Sequence, residues 1–197
     1  MRTHEGQARQ LNNAQFQEVI DYTWRTSSHP LRDIAILQTS YRAGLRAAEI
    51  AQITLSDLFD AHGEMKTKIT LRKKTTKGSK GGVAFFTHPE LREALAQYIV
   101  QERSSKTTEF DNVFISKKLT PFHPSSMSRL FGTLYRNAGF DGCTGHTGRR
   151  SLAKNLNEQN VSVYNIQKIL RHSNIQTTVK HYLAVDEDTL ANIMSEV

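Results

Sequence analysis

The stretch 145–183 decides how this chain is interpreted. It reads G-H-T-G-R-R at 145–150, L-R-H-S at 170–173 and T-T-V-K-H-Y-L at 177–183. In chain order it holds His146, the pair Arg149 and Arg150, His172 and the late Tyr182. These side chains supply a phenolic nucleophile, fixed positive charge and proton carriers without a metal. They are the groups needed to break and rejoin a phosphodiester.

The charge of the chain favours a polyanionic partner, nucleic acid first. The 197 residues include 26 Lys and Arg against 19 Asp and Glu, a formal net charge of +7. Seven basic residues and no acid lie within 66–80, whereas 183–197 carries four acids and no base. Net charge alone is also compatible with an unspecialised basic protein.

The cysteine count and the hydropathy pattern predict a cytoplasmic protein. Cys143 is the single cysteine, which excludes a disulfide framework and fits a reducing compartment. No run of eighteen apolar residues and no apolar signal core are present in the sequence. We therefore expect no membrane association.

The apolar spacing predicts a mainly α-helical domain with one small antiparallel sheet, an α+β fold. Strands are predicted at 65–71 and 82–87, joined by a turn rich in Lys, Gly and Ser, with a further short strand at 112–116. Capping and periodicity predict a helix through Phe16 and Trp24 with Asn12 or Asn13 as N-cap, and a second helix from Pro30 to near Gly44. Another helix is predicted after Pro89, and another is capped by Ser125 or Ser126 and ends at Gly139. The remaining predicted helices span residues 46–53, 149–159, 162–170 and 174–183, with a last one within 185–197.

Two pairs of side chains have spacings that suit a site. Arg46 and Glu49 share a helical face, which is also the spacing of an ordinary surface ion pair. His146 and Arg149 can converge on one point, although a capping histidine beside a solvated arginine has the same spacing. Neither pair alone identifies a function.

The remaining candidates also have structural or metal-binding alternatives. Tyr182 follows Ile175 and Val179 at the spacing of a buried aromatic residue. His146 and His172 could be metal ligands, and Cys143 forms a C-x-x-H pair with His146. A zinc site needs three or four ligands at tight spacing, however, and no second cysteine is present.

Taken together, these residues resemble the tyrosine recombinase family, also called the phage integrase family. The similarity extends from about Gln10 to Tyr182 and rests on four strings in family order. The strings are A-G-L-R-A-A-E-I-A-Q-I-T-L-S-D-L at 43–58, K-G-S-K-G-G-V-A-F-F at 77–86, H-T-G-R-R-S-L-A at 146–153 and L-R-H-S-N-I-Q-T-T-V-K-H-Y-L at 170–183. The resemblance implies the fold of an integrase-like catalytic domain.

The resemblance also implies a reaction. Tyr182 would attack a DNA phosphate, leaving a 3′-phosphotyrosine and a free 5′-hydroxyl. Arg46, Arg149 and His172 would stabilise the charge that develops on the phosphoryl oxygens.

Further roles follow from the same resemblance. Lys77, on a hairpin, would protonate the departing 5′-oxygen, and His146 would move protons to or from Tyr182. Glu49 would brace Arg46, and neither a metal nor another cofactor is implied. Contacts to double-stranded DNA are expected from Lys73, Lys74, Lys80, Arg150 and Arg171.

The chain departs from the family pattern at three places. Arg171 stands where the family usually has glycine, and it would either add a phosphate contact or crowd the site. Gly148 stands where a leucine or similar apolar residue is usual. Lys74 and Lys80 are alternatives to Lys77, which aligns best with the family turn.

The domain organisation implied is a single catalytic domain over 1–197. The N-terminal domain with which most family members clasp DNA is expected to be absent, so that the chain is either a minimal recombinase or an excised catalytic domain. The helix within 185–197 would either dock on a neighbouring protomer or fold back on its own core. On DNA the resemblance implies a homo-oligomer, a tetramer.

The function expected is site-specific DNA recombination: integration, excision or inversion for a mobile element or phage, by an enzyme that acts at the nucleoid. Two alternatives stay open. One is a DNA-binding regulator that keeps the fold without strand exchange. The other is a type IB topoisomerase, although those enzymes typically place lysine at the position of His146.

Overall fold

The computed structural model describes residues 8–71, 82–104, 111–172 and 174–176, which form a mainly helical domain with a small sheet. The predicted fold class is confirmed. In chain order the elements are α1 (Asn13–Thr26), α2 (Pro30–Ala43), α3 (Ala47–Ile50), α4 (Leu55–Leu58), β1 (Lys68–Leu71), β2 (Gly82–Phe85), α5 (Pro89–Tyr98), a π-helical turn (Ile99–Arg103), α6 (Pro124–Asn137), α7 (Thr147–Glu158) and α8 (Val163–Leu170).

Helix α2 forms the centre of the core. It packs against α1, α5 and α7, and most of its residues are buried. Three of its buried polar residues find local partners: Arg32 pairs with Asp33 at 2.8 Å, and the Thr39 hydroxyl donates to the Ala35 carbonyl at 2.7 Å. The Tyr41 ring stacks on Phe16 with 3.7 Å between ring centroids, which fastens α1 to α2.

The structure confirms the predicted helix ends that depend on a few adjacent residues. The Asn12 side chain accepts from the Gln15 backbone N–H and caps α1, and Ser162 caps α8 in the same way. Pro30 lies in the first turn of α2, and Gly44 ends that helix in the left-handed region at φ 63°.

The sheet is shorter than predicted. Strands β1 and β2 are antiparallel, with Ile69 opposite Ala84 in the register. Met65 does not belong to β1, because it forms an isolated bridge with Phe59. The turn that joins the strands, the predicted helix within 185–197 and most of helix 174–183 lie outside the described residues.

Two further local predictions are wrong. Residues 112–116 form no strand: Asn112 bridges Thr54 and Ile115 bridges Pro121, each as an isolated pair. The N-cap of α6 is His123, whose ring accepts from the Ser125 backbone N–H, so Ser125 and Ser126 lie inside the helix. Trp24 has the helical spacing of the core residues of α1, yet it is 57% exposed.

None of the helices formed by the described residues has the length and apolarity required to cross a bilayer.

Gly148 lies where α7 crosses α2 at close range. A Cβ atom at this position would lie 2.7 Å from the Ser40 Oγ atom and 2.9 Å from the Tyr41 backbone nitrogen. Backbone atoms in the last turn of a buried helix cannot yield easily to a new methyl group. The close crossing therefore accounts for glycine where the family usually has a larger apolar residue.

We expect Gly148→Ala to lower the free energy of unfolding by about 1–3 kcal/mol, because the added methyl group forces α7 away from α2. Gly132→Ala in α6 is the matched control, since a Cβ there meets no atom within 4 Å. The control should be neutral or stabilising by up to about 1 kcal/mol. Urea unfolding of both variants measures the difference, and equal effects would contradict the close-packing explanation.

Candidate active site

The short helix α3 presents Arg46 and Glu49 together. Arg46 is the N-cap residue, and its backbone N–H donates to the Glu49 Oε2 atom at 2.8 Å. Its Nη1 atom donates to Glu49 Oε1 at 2.9 Å. Glu49 is only 3% exposed, so the interpretation as a surface ion pair is wrong for the carboxylate. The left-handed turn at Gly44 directs the chain into this arrangement.

The environment of Glu49 keeps its carboxylate ionised. Burial would raise the pKa of Glu49, but the Arg171 charge, the Arg46 backbone N–H and the charges of Arg46 and Arg149 bring it below its ordinary value. A buried carboxylate is costly unless charged donors surround it. Glu49 therefore lies at the centre of an arginine cluster.

Arg149 is buried and is fixed by backbone carbonyls. It lies in the first turn of α7, is 2% exposed, and donates from Nη1 to the Gly44 oxygen at 2.6 Å. Its Nη2 atom donates to the Leu170 oxygen. The alternative of a solvated arginine is wrong. The carbonyls at the ends of α2 and α8 orient the guanidinium before any substrate is bound.

His146 precedes α7 and stays at the surface. Its side chain makes no capping hydrogen bond, so the capping alternative is wrong. Thr144 and Thr147 cap this end instead: the Thr147 Oγ1 atom accepts from the Thr144 backbone N–H at 2.9 Å. Desolvation by the surrounding protein, and then the charges of Arg149, Arg46 and Arg150, lower the pKa of His146.

The charges of both arginines that the resemblance assigns to the site act on His146 and lower its pKa. Because its pKa is lowered, the imidazole is neutral at pH 7 and can accept a proton. The structure thus brings five of the predicted site residues into one cluster, namely Arg46, Glu49, His146, Arg149 and Arg171.

Helix α8 ends in a Schellman motif that leads to His172. The backbone N–H of His172 donates to the Gln167 oxygen, and that of Arg171 donates to the Lys168 oxygen, both at 3.1 Å. Arg171 occupies the left-handed position at φ 56°. A non-glycine residue there costs roughly 1 kcal/mol, which is why glycine is expected at this position.

The Arg171 side chain turns into the protein. Its Nη2 atom donates to Glu49 Oε2 at 3.0 Å and to the Gly44 oxygen at 3.2 Å, and its Nη1 atom donates to the Ile169 oxygen at 3.0 Å. The side chain is 9% exposed. These contacts engage the Arg171 side chain inside the protein. The prediction that Arg171 contacts DNA stays a prediction.

Arg150 likewise has a contact within the protein. Its Nη1 atom donates to the Ala8 oxygen at 2.6 Å, which ties α7 to the start of the described chain. This contact explains the residue without DNA. The prediction that Arg150 contacts DNA stays a prediction.

Several predicted site residues lie outside the described part of the chain. They are the nucleophile candidate Tyr182, the candidate acid Lys77 and the basic residues Lys73, Lys74 and Lys80. Their roles stay predictions.

The metal alternative gains no support from the described residues. Within 8–71, 82–104, 111–172 and 174–176 there is no cluster of three or more His, Cys, Asp or Glu suited to a metal ion. Cys143 lies in the hydrophobic core, and burial raises the pKa of its thiol, which disfavours the thiolate that metals bind.

The sequence did not reveal two elements of the site. One is the Gly44 carbonyl, which accepts from both Arg149 and Arg171. The other is the ion pair between Arg171 and Glu49. The glycine before L-R-A-A-E was a usable signal for the turn, but the acceptors appear only once α2, α7 and α8 are packed.

Comparisons with known proteins identify the family of this chain. The family model described as "Phage integrase family" matches residues 9–189. Transposase A from transposon Tn554 of Staphylococcus aureus is 26% identical over 206 residues, which cover 98% of this chain and 53% of the transposase. Tyrosine recombinase XerD of Halalkalibacterium halodurans is 28% identical over 151 residues, 75% of this chain and 48% of that protein. The chain spans about half the length of these relatives.

Solved structures share the fold. The XerA recombinase crystal structure superimposes with a TM-score of 0.77 at 24% identity, covering 95% of this chain and 64% of that one. The post-cleavage complex of the XerH site-specific recombinase with palindromic difH substrate gives a TM-score of 0.74 at 18% identity, with 99% and 55% coverage.

We expect Glu49→Gln to destabilise the fold at pH 7 by roughly 2 kcal/mol or more, because the buried arginines lose their counter-charge. Since the folded-state pKa of Glu49 lies below the ordinary value of 4.5, the ionised carboxylate stabilises the fold above pH 4.5. This contribution is lost as the pH falls through the lower, folded pKa. The variant should therefore lack that part of the acid dependence.

Urea unfolding between pH 3 and pH 7 measures both effects. Glu90→Gln is the matched control, because Glu90 pairs with Arg42 at 2.7 Å but is half exposed. Its effect should be about 0–1 kcal/mol. Similar pH profiles for wild type and Glu49→Gln would contradict the assignment.

Proposed function

The chain belongs to the phage integrase family, and we propose that it is the catalytic region of a site-specific DNA recombinase. The observation that carries this proposal is that the charges of Arg46 and Arg149 act both on the buried Glu49 carboxylate and on the His146 imidazole. Two oriented guanidiniums beside a neutral imidazole match what phosphoryl transfer to a tyrosine requires. Double-stranded DNA is the proposed substrate.

In the proposed reaction, the Tyr182 oxygen attacks the scissile phosphorus. A bond forms between this oxygen and phosphorus, and the bond from phosphorus to the 5′-oxygen breaks. The phenolic proton leaves toward His146, and Lys77 gives a proton to the 5′-oxygen. The 3′-phosphotyrosine keeps the energy of the phosphodiester, so a 5′-hydroxyl from another strand can reverse the step.

The arginine cluster would lower the barrier by electrostatic preorganisation. Protein acceptors hold Arg46 and Arg149 in place, so little reorganisation is needed when charge develops on the phosphoryl oxygens. If Arg46, Arg149 and His172 each contribute about 3 kcal/mol, the barrier falls by roughly 9 kcal/mol.

His146 suits the role of proton acceptor. Its pKa is lowered by desolvation and by the neighbouring arginines, so the neutral imidazole, with one ring nitrogen unprotonated, is favoured at neutral pH. The free pKa of tyrosine lies near 10, and Tyr182 therefore needs such an acceptor when it attacks.

Recombination between two duplexes cleaves two strands in each duplex, one on each side of the crossover region. Because one tyrosine serves one phosphate, a tetramer on DNA is the proposed assembly. The XerH complex is a recombinase bound to its own DNA substrate, and this precedent supports a duplex as the partner of this chain.

We expect wild-type protein to form a covalent adduct with DNA without added metal, and Tyr182→Phe to abolish the adduct while binding survives. The probe is a duplex enriched from a random pool by binding, nicked beside the scissile phosphate so that the short 5′-strand diffuses away. Denaturing gels detect the adduct. Tyr164→Phe is the control, since Tyr164 is 58% exposed on α8 and has no assigned role.

An adduct that persisted in Tyr182→Phe would disprove the nucleophile assignment. Tight binding with no adduct in wild type would instead favour the regulator. Relaxation of supercoiled DNA without exchange would favour the topoisomerase.

We expect Lys77→Ala to slow cleavage at least a hundredfold on ordinary DNA and to recover most of this loss on a substrate with sulfur in place of the leaving 5′-oxygen. A thiolate leaves without protonation, because thiols have pKa values near 8.5. Single-turnover rates on the two substrates give the ratio. Lys74→Ala and Lys80→Ala are the matched controls, and rescue of either in place of Lys77→Ala would reassign the acid.

A further inference from the structure

Arg171 carries a side chain at a position that favours glycine, and that side chain is engaged inside the protein. We propose that Arg171 is a positioning residue that orients Arg46 through Glu49 and couples the arginine cluster to strand β2. The effect on catalysis rests on the proposed function. The contacts on which the coupling rests are independent of the proposed function.

The backbone sets the direction of the Arg171 side chain. The left-handed conformation at φ 56° ends α8 and turns the chain toward His172. Glycine would adopt this conformation without strain, so the arginine side chain must offset that strain through its contacts. Those contacts reach Glu49, which is 122 positions earlier in the chain.

The first contact divides the Glu49 carboxylate between two arginines. Oε1 accepts from Arg46 Nη1, and Oε2 accepts from both the Arg46 backbone N–H and Arg171 Nη2. A carboxylate held from both sides has one favourable rotamer. Without Arg171 it would keep Arg46 as its ion-pair partner among the described residues, and the two could rotate together.

The second contact joins the two arginines of the proposed site. Arg171 Nη2 also donates to the Gly44 oxygen, which accepts from Arg149 Nη1. Arg171 thus shares one acceptor with Arg46 and another with Arg149. A shift of the Arg171 side chain would therefore change the hydrogen bonds of both Arg46 and Arg149.

The third contact reaches the hairpin. Strand β2 begins at Gly82, where an added Cβ would lie 2.6 Å from Arg171 Cδ and 2.9 Å from Cγ. The aliphatic part of Arg171 therefore lies directly on the Gly82 backbone. Arg171 therefore joins the arginine cluster to strand β2, which in the sequence follows the segment that contains Lys77.

A direct phosphate contact does not fit this geometry. Both Nη atoms of Arg171 are bonded inside the protein. Its Nε atom is buried, with no hydrogen-bond partner among the described residues. A side chain that is 9% exposed would have to leave Glu49 to reach DNA.

The test compares Arg171→Met, which keeps an aliphatic stem, with Arg171→Gly, which relieves the backbone. Both should cleave the nicked duplex ten- to a hundredfold more slowly in single turnover, since misplacement of a charged group by about 1 Å has that effect. DNA affinity and the slope of log Kd against log salt should stay at the wild-type values. A slope reduced by about one would show a phosphate contact and overturn the proposal.

Two further variants separate positioning from folding. Arg171→Lys can keep one bond to Glu49 and should recover part of the rate. Arg42→Met is the matched control, because Arg42 also pairs with a glutamate and packs on an aromatic ring, outside the cluster. Cleavage at the wild-type rate in Arg171→Met and Arg171→Gly, under conditions where both are folded, would overturn the proposal.

A spectroscopic measurement is independent of catalysis. The carbon-13 resonance of the Glu49 carboxyl, followed by NMR against pH, should report a higher pKa in Arg171→Met than in wild type. An unchanged pKa would overturn the coupling through Glu49. A raised pKa in a protein that forms no DNA adduct would support the coupling while the proposed function failed.

Discussion

The buried carboxylate of Glu49 is the group on which the rest of the site depends. A negative charge that is 3% exposed requires positive donors, and Arg46 and Arg171 supply them. Satisfying one carboxylate therefore brings the start of α3 to the end of α8. The same packing brings Arg149 to the carbonyls of Gly44 and Leu170, so the whole cluster follows from neutralising a single charge.

The single carboxylate does not neutralise all the positive charge of the arginines around it, and the remaining charge favours the binding of an anion. Three guanidiniums surround one carboxylate, and His146 stays uncharged because the arginines and desolvation lower its pKa. The cluster keeps an excess of positive charge that a phosphate can satisfy. Fixed backbone acceptors limit the repulsion among the guanidiniums and hold them still, which suits a transition state better than mobile charges do.

The sequence predicted those features that depend on a few adjacent residues. Asn12, Pro30, Gly44 and Ser162 mark helix ends by local hydrogen bonding and backbone preference, and each was placed correctly. The family strings located Arg46, Glu49 and Arg149. What the sequence missed depends on contacts between distant segments: the bridge from Asn112 to Thr54 and the acceptors of Arg171.

The structure describes two departures from the family pattern, and they affect the packing around Gly44 in opposite ways. At Gly148 the absence of a side chain lets α7 approach the α2 backbone, and this close crossing carries Arg149 to the Gly44 oxygen. At Arg171 an added side chain fills the space between Gly82, Gly44 and Glu49. Enlarging Gly148 or truncating Arg171 would move the Gly44 carbonyl relative to the guanidiniums around it. Gly44 is therefore the point at which both departures act on the site.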